Sequence, residues 1–338
     1  MRIGSNPHKD KINEKTNYTH QVIIPVYIPN QEGYFEDSFK IVEFCLQSLF
    51  NTTHDKTFIT IVNNGSCLEV KQYLDELFLT CKIHEIIHTE NIGKVNAILK
   101  GLAGNKIELV TISDADVLFL SGWQKETVKV LNHLPKAGVV GIVPQFNTYR
   151  TNCNNMIWDN LFNPKLKFLP VKNPNALIRF YDSIGWKRDY NPAYLKFALS
   201  LEVSNNFSVI VGSGHFVATY RKDIFENLIS YIGYKMGGDS EKYLDEIPLH
   251  KNYWRVTTSN NFAYHMGNTI EDWMSIEAAN QNKSNDNSIL KEFPSRNGIS
   301  TIHFFLINNL FRKFFFHKKI KNFFLKMKGL PSDLINDY

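Results

Sequence analysis

The chain has 338 residues, 43% hydrophobic and 21% charged, enough to bury the core of one large domain or two joined ones. Its formal charge of +5 is too small to point to nucleic acid, so the position of the charge matters more than its sum. The polar start "MRIGSNPHKDKINEKTNYTHQ" lacks the apolar core of a signal peptide, and no uncharged apolar run reaches the roughly 18 residues of a membrane span, so a cytoplasmic protein is expected.

"QVIIPVYIPN" (21–30) is a β-rich run stopped by Pro29 and Asn30, and "SFKIVEFCLQSLFNTT" (38–53) has apolar residues at helical spacing. "KTFITIVNNGS" then reads as a second strand ending in a turn, "CLEVKQYLDELFL" as a helix and "KIHEIIHTE" as a short strand. "NIGKVNAILKGLAG" is a helix opened near a glycine, and "VTISDADVLF" (110–119) is a strand that ends in two carboxylates, Asp114 and Asp116. Strands alternating with helices imply a mostly parallel sheet covered on both faces, with ligands outside the C-terminal strand ends. The segments "IPVY", "VNNGS", "TENIG" and "SDAD" should therefore converge on one rim. Residues 146–195 read as long loops or an irregular lobe. "FSVIVGSGHFVATYRKDIFENL" gives strand, turn, strand and helix; "GGDSEKYLDEI" opens another helix; "YWRVTTSNNFAYHMGN" is a strand ending near His265; and "QNKSNDNS" looks like a linker. The four cysteines show neither C-x-x-C pairing nor metal-type spacing.

Two carboxylates separated by one residue repel each other and are costly to desolvate unless paired. Asp114 and Asp116 suit a Mg²⁺ or Mn²⁺ site that in turn holds a diphosphate, or else a solvated turn. Such a triplet arises by chance about once in a chain this long, so its position on the ligand rim is what raises it. His265 is either a structural histidine or a further ligand, and imidazole favours Mn²⁺ over Mg²⁺. Asp239 and Glu241 are either helix-start acids or a general base for a substrate hydroxyl. Asn64 either serves a turn or presents its amide to a nucleobase edge, and Lys94 is solvated if "NIGK" has no role, since no P-loop is present.

The ordered set of these stretches resembles glycosyltransferase family 2. "VIIPVYIPN" is similar to that family's opening strand, and "SLFNTTHDKTFITIVNNGS" to its helix and V-D-D-G-S turn. "NIGKVNAILKGL" resembles N-x-G-x-x-x-A-x-N-x-G, "VTISDADVLF" the D-x-D strand, and "GSGHFVATYRKDIFENL" the segment G-(A/S)-x-x-x-x-x-R-(R/K)-x-x-F. "GGDSEKYLDEI" is similar to the E-D-x-(D/E) helix, although Gly238-Asp239 stands where the family has Glu-Asp, and Asn63 and Asn64 replace the acids of V-D-D-G-S.

The resemblance implies a GT-A fold: an α/β architecture with a Rossmann-like, mostly parallel sheet and helices on both faces. Between a polar tail (1–20) and a linker with a basic amphipathic extension (281–338), both read from composition, it implies a nucleotide-sugar-binding half (21–145) and an acceptor-binding half (146–280). It further implies metal-dependent, inverting sugar transfer from a nucleotide-sugar, UDP-linked in the family's commonest case, to a saccharide or lipid-linked acceptor in cell-surface polysaccharide synthesis. Pro25, Tyr27, Asn64, Asn91, Gly93, Lys94, Asp114 and Ala115 would then line the donor pocket. Asp116, His265 and Asp114 would serve the metal, Mn²⁺ or Mg²⁺, and Asp239 or Glu241 would be the base. A sugar-phosphate nucleotidyltransferase needs a G-x-G-T-R-type loop where this chain reads "PVYIPNQEG", and an inactive scaffold would lack a base or a ligand.

The stretch 301–330, outside the resemblance, carries eight Phe and seven Lys or Arg with no acid. Phe304, Ile307, Phe311, Phe314 and Phe315 fall on one helical face. That face either packs on the core or lies in an anionic membrane interface, which would hold the protein at the inner face of the plasma membrane.

Overall fold

β-Branched runs become strands and the amphipathic runs between them become helices, largely as periodicity dictates. The computed structural model describes residues 4–12, 16–237, 240–282, 290–292 and 295–338. β1 (His20–Val26), α1 (Ser38–Thr52), β2 (Thr57–Asn64), α2 (Leu68–Leu79), β3 (Glu85–Thr89), α3 (Lys94–Leu102) and β4 (Leu109–Ser113) follow in the expected order. β1 takes in the last residue of the anticipated tail, His20, whose buried ring bonds Thr111 Oγ1 at 2.6 Å. Then come β5 (Val117–Phe119), α4 (Trp123–His133) and β6 (Ala137–Gly141).

The segment expected to be irregular is ordered instead. It forms a 3₁₀ turn (Thr148–Arg150), α5 (Asn154–Asp159), β7 (Leu166–Pro170) and α6 (Pro174–Ser183). Short elements and polar breaks hide these from periodicity; Asn173 caps α6 by accepting from Ala176 N at 3.0 Å. β8 (Phe197–Ser204), β9 (Phe207–Val211) and β10 (Val217–Arg221) follow, and the expected helix after β10 is only a 3₁₀ turn at Lys222–Phe225. α7 (Lys242–Glu246), β11 (Trp254–Thr258), β12 (Ala263–His265) and α8 (Asp272–Asn280) complete this part. Residues 283–288 of the anticipated linker lie outside the described residues.

Ten strands form one sheet in the order β3-β2-β1-β4-β10-β6-β11-β9-β8-β7. β10, β9 and β7 run against the other seven. Alternate β1 side chains feed opposite layers: Val22, Ile24 and Val26 pack with α1, and Ile23 packs with α3. The parallel strands β1, β2, β3 and β4 end on one rim. β5 and β12 pair separately, with His265 opposite Val117.

The C-terminal extension divides its apolar residues between two surroundings. One continuous helical run joins α9 (Thr301–Phe305), a π turn (Leu306–Phe311) and α10 (Arg312–Phe315), and α11 (Lys318–Met327) follows. Ile307 is buried, and Phe315, Phe324 and Leu325 enter the core beneath β7, β8 and β9. The Lys328 carbonyl accepts from Phe168 N at 2.8 Å, covering the free edge of β7. Of the anticipated face, Phe314 points out instead, and with Ile302, Leu306 and Leu310 it forms an exposed stripe. Core packing and an outward apolar face therefore coexist on this extension. Among the described residues no helix is long and apolar enough to cross a membrane.

Because Phe315 is 1% exposed, Phe315→Ala should lower the unfolding free energy by about 3–5 kcal/mol. Phe314→Ala, at a position 59% exposed, should stay within about 0.5 kcal/mol of the parent in the same urea titration.

Candidate functional site

Asp114 follows directly on β4, and its backbone N–H is tied to Phe216 O at 2.7 Å. Its carboxylate meets Lys94, the first residue of α3, with Nζ 2.7 Å from Oδ1 and 2.9 Å from Oδ2. The same ammonium lies 2.6 Å from Glu241 Oε1. Gly93 makes this approach possible. It sits at φ +92°, and a β-carbon there would stand 2.8 Å from Tyr234 O and Lys235 Cα. Asn96 fixes the same loop, accepting from Ile232 N at 2.8 Å and donating to Ile232 O at 2.8 Å.

From Glu241 the charges continue in alternating sign. His215 Nε2 is 3.2 Å from Glu241 Oε2, and His215 Nδ1 is 3.5 Å from Asp245 Oδ2. Asp245 is ion-paired in turn with Arg255, which is 2% exposed and also donates to Ser213 O at 2.6 Å. Burial alone would lower the Lys94 pKa, but the Asp114 and Glu241 carboxylates overcome it and raise it. Burial likewise opposes protonation of His215, yet Asp245 and Glu241 lift it to about 9. The His215 hydrogen bond, reinforced by Lys94, holds Glu241 down at about 2. At neutral pH Lys94, His215 and Glu241 are therefore all ionised.

Asp116 faces a different partner. The β5–β12 register sets His265 beside it, with Nε2 3.4 Å from Oδ2, and Ser183 Oγ lies 3.0 Å from Nδ1 to orient the ring. Burial raises the Asp116 pKa, against the pull of His265. Its Oδ1 is buried without a hydrogen-bond partner, which is costly as it stands. An unsatisfied hard oxygen beside an oriented imidazole fits a divalent cation completed by ligand oxygens. Among the described residues no three His, Cys, Asp or Glu side chains converge on a metal position. Asp114, expected among the donor and metal residues, has its carboxylate against the Lys94 ammonium.

The other anticipated residues divide. Tyr27, 40% exposed beside Phe35, stands at the rim, whereas Pro25 is buried within β1. Asn64 is 3% exposed and accepts from Ile92 N at 2.9 Å, so its amide oxygen ties two strand-end loops together. Asn91 accepts from Gly93 N at 3.2 Å, and Ala115 is half-buried between the two aspartates. Asp239 lies outside the described residues. A cleft of about 360 Å³ runs from His265 and Phe180 to His215 and Asp245, with Gln145 and Asn147 on its wall. His215, Asp245, Arg255 and Ser183 were not anticipated. Arg255 did carry a signal, since a charge inside the strand "YWRVTT" requires a buried partner.

The sequence profile described as "Glycosyl transferase family 2" matches residues 22–227. "Putative glycosyltransferase CsbB" of Bacillus subtilis (strain 168) is 32% identical over 109 residues, a stretch spanning 32% of this chain and 31% of that protein. S. aureus TarS 1–349 superposes with a TM-score of 0.45 at 14% identity, over 89% of this chain and 73% of TarS 1–349. The mannosyltransferase PcManGT of Pyrobaculum calidifontis, solved with GDP-Man and Mn²⁺, gives a TM-score of 0.43 at 17% identity, over 76% of this chain and 61% of that one.

The ionised row sets a pH dependence. The His215 pKa is raised on folding from 6.5 to about 9, so its contribution to stability is complete below pH 6.5 and lost as pH rises through about 9. Glu241 works the other way: its contribution is present above pH 4.5 and lost as pH falls toward about 2. Lys222, lowered by burial to about 8, titrates in the upper window with opposite sign, so a difference measurement is needed. The stability gap between wild type and His215→Gln should narrow between pH 6.5 and 9 in chemical denaturation. A constant gap would mean that His215 is not held as the cation.

Proposed function

Because the chain belongs to glycosyltransferase family 2, we propose that it moves a sugar from a nucleotide-sugar donor, UDP-linked, to an acceptor hydroxyl with inversion. The acceptor is a saccharide or a lipid-linked glycan in cell-surface polysaccharide synthesis. One observation carries this reading above the others. Lys94 gathers Asp114 and Glu241 on the C-terminal rim of the parallel strands, beside the Asp116–His265 pair and the mouth of the cleft.

In this reading Asp116 and His265 hold a divalent cation, Mn²⁺ or Mg²⁺, which when bound supplies positive charge against the departing diphosphate. Lys94 adds a fixed positive charge on the same side, and Asp114 positions both Lys94 and the donor. Glu241 is the general base. It accepts the acceptor's hydroxyl proton as that oxygen bonds to the anomeric carbon, while the carbon–oxygen bond to the diphosphate breaks and its electron pair leaves with the nucleotide. In the free protein Lys94 and His215 make Glu241 a weak base. A donor diphosphate that draws off the Lys94 charge raises its basicity, so proton removal awaits donor binding. The cleft lined by Phe180, Gln145 and Asn147 suits an acceptor sugar, with an aromatic surface and amide groups side by side.

The outward stripe on 301–330 supports peripheral attachment at the inner face of the plasma membrane, where a cytosolic donor meets a membrane-borne acceptor.

Purified protein screened against nucleotide-sugars should release nucleoside diphosphate only with Mn²⁺ or Mg²⁺ present, and Asp116→Ala should abolish release with the fold intact. Near wild-type turnover of that variant at saturating donor removes the metal reading. Glu241→Gln should cut turnover by roughly 10²–10⁴ with little change in donor affinity. If Asp239→Asn does so instead, the base is Asp239.

A further inference from the structure

A second cavity, about 590 Å³, opens against the C-terminal helix and is walled by Arg150, Asn308, Asn309, Arg312, Lys313 and Phe316. Three of these side chains are cations and none is a carboxylate. Among the described residues, neither Arg312 nor Lys313 is ion-paired with an aspartate or glutamate, whereas Arg150 is engaged by the backbone of Tyr338. Arg150 donates through its terminal nitrogen to the Tyr338 carbonyl, while its Nε is buried without a partner. Lys321, lowered by burial and then by the charges of Arg150 and Lys318, donates to the same carbonyl at 2.8 Å. The cavity thus keeps two cations, Arg312 and Lys313, that no aspartate or glutamate among the described residues neutralises, and the two asparagine amides add N–H donors.

Its surroundings indicate what kind of anion would arrive. On the same helical run Phe305, Leu306, Leu310 and Phe314 are 42–59% exposed. Trp158, 49% exposed, packs edge-on against Phe311 at 5.0 Å. Exposed Lys318, Lys319 and Lys326 flank this apolar surface. A soluble anion would gain nothing from aromatic side chains standing in water beside its site, whereas a lipid headgroup presents phosphate and hydrocarbon together.

We propose that this cavity binds the phosphate headgroup of an anionic membrane lipid, an inference that rests on the peripheral attachment described above. The cavity also adjoins the catalytic side of the molecule. Arg150 ends the turn Thr148–Arg150, and Thr148 and Thr151 on either side of it line the cleft assigned to the acceptor. A phosphate held by Arg150, Arg312 and Lys313 would orient that cleft toward the membrane surface, and the phosphate of a lipid-linked acceptor is of the same chemistry.

The test uses the full chain and two phosphatidylcholine vesicles of equal surface charge, one containing phosphatidic acid and the other a carboxylate-headed lipid such as oleate. Wild type should bind the phosphate-bearing vesicles at least tenfold more tightly. Arg312→Ala with Lys313→Ala should erase that preference. Lys318→Ala with Lys319→Ala, which removes the same charge outside the cavity, should keep it. Either pair weakens binding to both vesicles by about fivefold per charge through general electrostatics. All four positions are exposed, so thermal melting should be unchanged. Equal wild-type affinity for the two vesicles, or equal loss of preference in the two double variants, overturns the cavity while leaving membrane attachment standing. Failure of the wild type to bind either vesicle overturns both.

Discussion

The Lys94 ammonium is what allows Asp114 and Glu241 to share one place. Two carboxylates brought this close in a partly buried setting repel each other, and each loses hydration. One cation within 2.7 Å of both converts that repulsion into a bridge between the end of β4, the start of α3 and the segment opening α7. The remaining charges depend on it in sequence. His215 is held as a cation because Glu241 and Asp245 are anions, and Asp245 in turn keeps Arg255 from being an uncompensated charge at 2% exposure. An alternating row is the arrangement in which each buried charge has neighbours of opposite sign, and its outer end is the Asp114–Lys94 pair, whose side chains are 21% and 19% exposed.

The second aspartate is governed by backbone geometry rather than by countercharge. The short β5–β12 ladder turns His265 toward Asp116, and the Met266 N–H bonds the Asp116 carbonyl at 2.8 Å. A slip of one residue in that register would move the imidazole to the other face of the ladder and take from Asp116 the one ion-pair partner it has among the described residues. The two aspartates of one D-x-D therefore meet different partners, Lys94 for Asp114 and His265 for Asp116.

The extension after residue 300 also serves two surroundings. Its inner face completes the core against β7, β8 and β9 and covers an edge strand; its outer face keeps large apolar and cationic side chains in solvent. A helix needs only one apolar stripe to dock on a core, and this one has two. The apolar surplus, rather than the basic composition by itself, is what sets this part of the molecule apart.

Local pattern was enough for the first half of the fold. Apolar runs of period 2 and amphipathic runs of period 3.6 mark β1 to β4 and the helices between them. The rim rule for parallel sheets brings Asp114, Lys94 and Gly93 toward one edge from the order of the elements alone. The elements of 146–195 were not legible, because they are short and Asn-rich and their helices and strand are selected by tertiary packing. Nor could the sequence divide 301–330 between core and solvent, since a Phe-rich helix carries apolar residues on both faces and only the neighbouring strands decide which are covered. The pairing of Glu241 with Lys94 spans 147 positions, and that of His265 with Asp116 depends on an antiparallel register. Sequence alone determined which residue types were available to the site and on which strand ends they lay. Which carboxylate met which cation was decided only by the tertiary structure, because ion pairing acts through a few ångströms of space and is blind to separation along the chain.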